Sequence, residues 1–238
     1  IVVVGGVRRS ALISLSNLTD DRLRRSKHGQ WWDTEPQRGL ANNSACYTEK
    51  PDFEAFINEW SSLYESRSGE RGFFSRVASQ KQAAKNGRRD AGHEFGTNPC
   101  SEIILRPSQL CNLSECVVRW DDTHDTLKKK VRLATILGTL QATLTDFRYL
   151  RKKWSDNTAE EALLGVSLTG ILDNKRMGTV GPALARELED LKNETVRVNK
   201  EWAERLGINQ STAITCVKPS GTVSQLVNSA SGIHGRFS

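Results

Sequence analysis

No stretch of the 238 residues approaches the roughly 20 consecutive apolar residues that a membrane-spanning helix requires, which removes integral membrane proteins of the helical kind. No C-x-x-C pair is present, which argues against a structural zinc site. The five cysteines (Cys46, Cys100, Cys111, Cys116 and Cys216) are an odd number with no secretory signal ahead of them. They point to a reducing, cytoplasmic setting and away from a disulfide framework. Repeats, low-complexity tracts and linkers are also missing, so a single domain over residues 1–238 is expected. The chain has no initiator Met, and the opening Ile1-Val-Val-Val-Gly-Gly6 is too short for a signal peptide. The closing Gly235-Arg-Phe-Ser238 carries neither a terminal helix nor a polar tail. The expectation is an internal piece of a longer protein. The opening looks faintly like a serine-protease terminus, but no Gly-Asp-Ser-Gly nucleophile follows it.

What is present is a polar globular composition. Hydrophobic residues make up 37% of the chain and the mean hydropathy is −0.51. A formal net charge of +6 suits a protein that handles a phosphorylated small molecule or has a basic surface. A nucleic-acid-binding module is the sharper alternative. The basic residues (Arg8-Arg9, Arg22 to Lys27, Lys81 to Arg89, Lys128 to Lys130, Arg151 to Lys153) are scattered and form no aromatic-studded stripe, which weakens that alternative.

Ile1–Val4, Ala11–Leu15, Ser44–Thr48, Ile103–Leu105, Leu113–Val118, Gly165–Leu168 and Ala213–Val217 read as strands, with Gly29 to Leu40 as a loop. A helix opens at Pro51 with Phe53, Phe56, Ile57, Trp60, Leu63 and Tyr64 at i, i+3, i+4 spacing, which predicts a buried apolar face. Phe74 to Lys85 predicts a second, short helix. A long helical pattern runs from Thr123 to Trp154, its Lys128 to Lys130 run on the solvated side. Thr158-Ala-Glu-Glu161 has the form of a capping box that starts the next helix. Pro182 suits a first helical turn, and the pattern through Leu184, Leu188, Leu191, Val198 and Trp202 ends at Gly207. Strands alternating with long helices favour an α/β fold.

The chemistry concentrates in Thr97-Asn98-Pro99-Cys100-Ser101-Glu102. Pro99 bars a helix and biases Asn98 to extended backbone. In an extended segment Asn98, Cys100 and Glu102 would project from one face as an amide, a thiol and a carboxylate. A turn holding a core cysteine is an equal reading of this motif by itself. Cys111 follows in Gln109-Leu-Cys-Asn-Leu-Ser-Glu115, with ten residues between the two cysteines. Cys46, Cys116 and Cys216 read as strand-borne core residues, and His234 as structural or surface.

Taken together, Asn-Pro-Cys-x-Glu-Ile-Ile-Leu followed by Cys-Asn-Leu-Ser-Glu resembles the active-site region of class II, adenosylcobalamin-dependent ribonucleotide reductases. The cysteine spacing is similar to the monomeric, ribonucleoside-triphosphate branch, and it argues against a class I reductase, whose radical comes from a separate metal subunit. The likeness extends through Gly6-Val-Arg-Arg-Ser-Ala11, Ala41-Asn-Asn-Ser44, Ser66-Arg-Ser-Gly-Glu70, Leu164-Gly-Val-Ser-Leu-Thr-Gly170, Val217-Lys-Pro-Ser-Gly-Thr-Val223 and Ser231-Gly-Ile-His234.

The resemblance implies part of a ten-stranded α/β barrel and reduction of ribonucleotides to deoxyribonucleotides. Cys100 would carry a thiyl radical that abstracts the substrate's 3′-hydrogen, and Glu102 would accept the 3′-hydroxyl proton as general base. Asn98 would orient the reacting groups. Cys111 would be one of two thiols that reduce the 2′ position and end as a disulfide, its partner lying upstream of these residues. Ser220, Gly221, Thr222, Val223 and Ser224, after the last strand, would take the substrate's phosphates. Adenosylcobalamin is the implied cofactor, most of its site outside these residues. A thioredoxin-like reductant is the implied partner, with no nucleic acid or membrane. The family has Gly after the radical cysteine where this chain has Ser101.

Overall fold

The structure, a computed structural model, describes residues 12–236. The expected Ile1–Val4 strand and the Gly6–Ala11 motif lie outside the described residues. The chain divides into two compact units, one ending at Pro107 and one beginning at Ser108.

In the first unit β1 (Leu12–Ser16), β2 (Ala41–Tyr47) and β3 (Gly72–Ser75) form a parallel sheet in that order. Between β1 and β2 come the single-turn helix α1 (Asp21–Arg24) and then the expected loop Gly29 to Leu40, which holds a second single turn, α2 (Trp31–Thr34), and a 3₁₀ turn at Pro36–Leu40. The 14-residue α3 (Phe53–Ser66) connects β2 to β3, its N-terminus capped by the Asp52 carboxylate accepting from Ala55 N at 2.7 Å. Next, α4 (Arg76–Ala84) starts at Arg76, capped by Ser75 and later than expected, because Gly72–Ser75 pairs with β2. A short antiparallel hairpin, β4 (Gly96–Thr97) with β5 (Ile104–Leu105), closes the unit.

The orientation of α3 reverses the expected one. Phe53 is 81% exposed and Tyr64 74%, while Glu59 and Ser66 point inward. The reason is electrostatic. Arg71 is fully buried and clamps Glu59 through Nε–Oε1 at 2.6 Å and Nη2–Oε2 at 2.7 Å. Arg24 adds Nε–Oε2 at 3.1 Å. Further N–H groups of Arg71 donate to Ser16 Oγ and to the carbonyls of Asn17 and Leu18. A buried carboxylate without these partners would cost several kcal/mol, more than any one aromatic gains by turning inward. The ion pair therefore sets which side of the helix faces the sheet.

In the second unit β6 (Asn112–Val117) and β7 (Leu164–Thr169) pair in parallel, with Glu115 opposite Ser167. The segment expected as a strand at Ala213–Val217 runs beside β7 through one bridge, Val166 to Thr215. Backbone bonds from Leu164 N to Ala213 O and from Val166 N to Ile214 O support it. The expected Thr123–Trp154 helix is two helices, α5 (His124–Gln141) and α6 (Lys152–Glu161). Thr143, Thr145 and Asp146 interrupt it. The Thr143 hydroxyl donates to Leu140 O at 2.8 Å and ends the helix, an option open to side chains that compete with the helical ladder. Thr158 and Glu161 lie at the end of α6, not at a start; the capping box is Thr123 with Thr126, opening α5. As expected, α7 (Pro182–Leu206) begins at Pro182 and ends on Gly207 in the left-handed region. The last element, α8 (Val223–Leu226), is a single turn.

The core of this unit is one face of β6–β7 packed against α5 and α7, with Leu127, Val131, Leu164, Val166, Leu191 and Ile214 buried together. Each such side chain contributes about 1.5–3 kcal/mol. Cys116 belongs to this core, as expected, and burial pushes its thiol up to about 12. Cys46 and Cys216 are half-buried. Polar bonds thread the same layer. Asn199 of α7 donates to Thr139 Oγ1 of α5 at 3.1 Å and accepts from Ser211 N at 2.8 Å, and Ser211 Oγ accepts from Leu164 N at 3.1 Å.

Candidate active site

Asn98, Cys100 and Glu102 lie in the first unit, on the turn that joins β4 to β5. The turn is not extended. Ser101 N donates to Asn98 O at 2.9 Å, and Asn98 N to Ile103 O at 3.3 Å, which folds the six residues back on themselves. The Asn98 side chain finishes the closure: its Oδ1 accepts from Ile103 N at 3.0 Å. Thr97 Oγ1 donates to Ile103 O at 2.9 Å on the same side. From the neighbouring sheet, Asn42 Nδ2 donates to Pro99 O at 2.5 Å and pins the tip to β2.

This arrangement leaves Cys100 exposed and Glu102 half-buried. One carboxylate oxygen, Glu102 Oε2, is buried without a hydrogen-bond partner. An oxygen held this way is an unused hydrogen-bond acceptor for a donor placed beside it. Ser101 has φ +63°, in the left-handed region that favours glycine. The departure from the family's Gly is thus a strained position. Ser101→Gly is expected to stabilise the first unit by roughly 1 kcal/mol, read as a shift of the urea midpoint. An unchanged or lowered midpoint would contradict the strain.

Cys111 and the Ser220–Ser224 turn lie in the second unit. Cys111 is half-buried immediately ahead of β6. Its approach is fixed by the buried Gln109, whose Nε2 donates to Glu161 Oε2 at 2.5 Å and to Asn157 O at 3.2 Å. By strand parity Cys111 shares a side with Leu113 and Glu115, opposite the core residues Ser114 and Cys116. On that same side residues 218–232 fold across β7. Lys218 N donates to Ser167 Oγ at 2.8 Å, Gly232 N to Thr169 Oγ1 at 2.8 Å, and Thr169 Oγ1 to Ala230 O at 3.1 Å.

Within the turn, Ser220 and Ser224 are fully buried. Ser220 Oγ accepts from Ser224 N at 3.1 Å, the Ser224 hydroxyl donates to Ser220 O, and Ser231 Oγ donates to Ser220 O at 2.8 Å. Both serines brace the loop from inside. Gly221, Thr222 and Val223 are the exposed members. Among the described residues, no three His, Cys, Asp or Glu side chains come together to hold a metal ion, and no helix is long and apolar enough to cross a membrane.

Two contributors escaped the sequence reading. Asn42 was visible only as a member of the Ala41-Asn-Asn-Ser44 motif, whose bond to Pro99 O needs the sheet. Lys218 was passed over as part of the motif around the turn, although it carries the only charge there.

No protein-family model matches the chain. Curated relatives do match: the adenosylcobalamin-dependent ribonucleoside-triphosphate reductase of Lacticaseibacillus paracasei is 27% identical over 99% of this chain and 34% of its own length. The enzyme of the same name from Euglena gracilis is 27% identical over 98% of this chain and 31% of its own. The chain is homologous to these reductases along its length. It spans about a third of the relatives it matches. A crystal structure of a B12-dependent, class II ribonucleotide reductase superposes with a TM-score of 0.73 over 93% of this chain and 34% of that one, at 23% identity. The α/β fold is therefore a portion of the class II reductase fold.

Proposed function

We propose that the chain is part of the catalytic barrel domain of a ribonucleoside-triphosphate reductase, both compact units belonging to that domain. The observation that carries this reading is homology to class II reductases along the whole of this chain, together with an exposed Cys100 two residues from Glu102, one of whose carboxylate oxygens has no hydrogen-bond partner. The Cys100 sulfur takes the 3′-hydrogen of the ribose as an S–H bond forms and a C–H bond breaks, an exchange of two bonds of comparable strength. Glu102 takes the proton of the 3′-hydroxyl, and the 2′-hydroxyl leaves as water after protonation by a thiol. Cys111 and a second thiol supply two electrons and become a disulfide. The hydrogen returns from Cys100 to C3′, Glu102 gives its proton back to the 3′-oxygen, and the thiyl is restored. Asn98 has an amide near the reacting groups, and the exposed backbone of Gly221, Thr222 and Val223 offers N–H groups to phosphate, braced by Ser220 and Ser224.

Adenosylcobalamin, when bound, supplies the radical equivalent that oxidises Cys100. The residue such a group must reach is an accessible thiol, and the exposed tip of a hairpin fits that need. A thioredoxin-like dithiol would re-reduce the disulfide, and the setting would be the cytoplasm. No nucleic-acid or membrane partner is part of this reading.

The test is deoxynucleotide formation from ribonucleoside triphosphates by the complete protein that contains this chain, with and without adenosylcobalamin; product that forms equally without the cofactor refutes the class II reading. Cys111→Ser separates the steps. It should block normal product yet preserve loss of label from a 3′-tritiated substrate, because the radical thiol and base remain. Native yields from Cys111→Ser would remove the redox role.

A further inference from the structure

The turn assigned to phosphate has almost no charge of its own. From Lys218 through Ile233 the only ionisable residue is Lys218. Backbone amides offer hydrogen bonds but no net charge, whereas a triphosphate brings several negative charges that must be offset.

Lys218 is held at both ends by a single row of the sheet. Its backbone N–H donates to Ser167 Oγ at 2.8 Å, and its Nζ lies 3.3 Å from Glu115 Oε2. Ser167 and Glu115 are register partners on β7 and β6. The Glu115 side chain is only 9% exposed, and its second oxygen, Oε1, is buried without a hydrogen-bond partner. A carboxylate so deeply withdrawn from water is costly in the interior unless something answers it. The spare acceptor lets the ammonium pivot between the two oxygens without losing its partner. Of the three N–H donors on Nζ, one goes to Glu115 and two remain.

We propose that Lys218, positioned by Glu115 and Ser167, is the cationic contact for the phosphates of the bound nucleotide. The identity of that ligand as a ribonucleotide rests on the reductase reading; the phosphate contact itself rests on the second unit alone. Glu115 is a positioning residue and touches no phosphate. The ammonium suits this task as a compact charge on a flexible stem, able to follow a phosphate chain.

Binding is measured at equilibrium with three probes: inorganic tripolyphosphate, a ribonucleoside triphosphate and the parent ribonucleoside. Lys218→Met should weaken the first two by about tenfold or more and leave the ribonucleoside unchanged. Lys218→Arg should recover most of the loss, and Glu115→Gln should give a smaller loss confined to the phosphate probes. Lys218→Gln replaces Lys218→Met if the latter does not fold. Equal tripolyphosphate affinity in Lys218→Met and the unaltered protein overturns the assignment. So does a loss shared equally by the ribonucleoside, or an unaltered protein that binds no tripolyphosphate. The reductase reading fails separately, if the complete protein that contains this chain binds the triphosphate with this dependence on Lys218 yet forms no deoxynucleotide with adenosylcobalamin.

Discussion

In the complete reductase proposed above, Cys100→Ser is expected to abolish deoxynucleotide formation while leaving the fold intact. The substitution changes one atom on an exposed turn, and the bonds that close the turn come from Asn98, Thr97 and Asn42. Packing therefore loses little. The chemistry loses its relay, because a serine O–H bond is much stronger than a ribose C–H bond and the radical cannot be passed in either direction at a useful rate. An added barrier of about 7 kcal/mol alone slows a step by about five powers of ten. The measurement is product formation under saturating substrate and cofactor, with urea unfolding of the variant as control. More than a trace of turnover in a folded variant would end the radical assignment. Cys116 offers the contrast: its sulfur is packed among the core side chains of the second unit, out of reach of a substrate at the exposed turn.

Glu59→Gln should have the largest effect on stability, about 3–5 kcal/mol, because it leaves the guanidinium of Arg71 buried without its counter-charge. The two side chains are 0% and 1% exposed, so solvent cannot compensate. Burial alone would raise the Glu59 carboxyl, but the hydrogen bonds and charge of Arg71, then those of Arg24, bring it below its ordinary value. A carboxyl lowered in the folded state contributes stability above its unfolded value, and that contribution disappears as pH falls through the folded one. The unaltered protein should therefore lose stability toward acid more steeply than Glu59→Gln. Urea midpoints measured from neutral to acid pH check both statements. A variant within 1 kcal/mol of the native value would show that the pair does not hold α3 in place.

The residues show which parts of this architecture could be read in advance. Pro182, Gly207 and the apolar period between them mark α7 at both ends, since each cap is a local backbone requirement. The motif around Cys100 was legible through its resemblance, and a turn was one of two readings the residues allowed, although that reading put the cysteine in the core and it is exposed. The extended alternative failed because Asn98 uses its side-chain oxygen to close the hairpin, a bond that depends on where Ile103 comes back. The face of α3 failed for a similar reason. Periodicity places Phe53, Trp60 and Tyr64 on one side, but it carries no information about Arg71, twelve residues beyond Glu59. Thr158 and Glu161 matched a capping pattern that is degenerate: the same spacing occurs inside a helix, where Glu161 is taken up by Gln109. Short-range rules marked ends and periods. Partners distant in sequence decided orientation.

The polar thread through Thr139, Asn199, Ser211 and Leu164 gives the second unit a mechanical character. Two smooth apolar helices can slide along each other by one turn, about 5.4 Å, and repack with similar contacts. Here such a slip would strand a buried amide and a buried hydroxyl, so α7 has one seat on α5 and no second notch. Ser211 is attached to that seat, and the chain from Ser211 leads directly along β7 to Lys218. The turn at Pro219 is thus indexed from the opposite side of the sheet, and a force applied to it would be carried by the helix pair as by a keyed shaft.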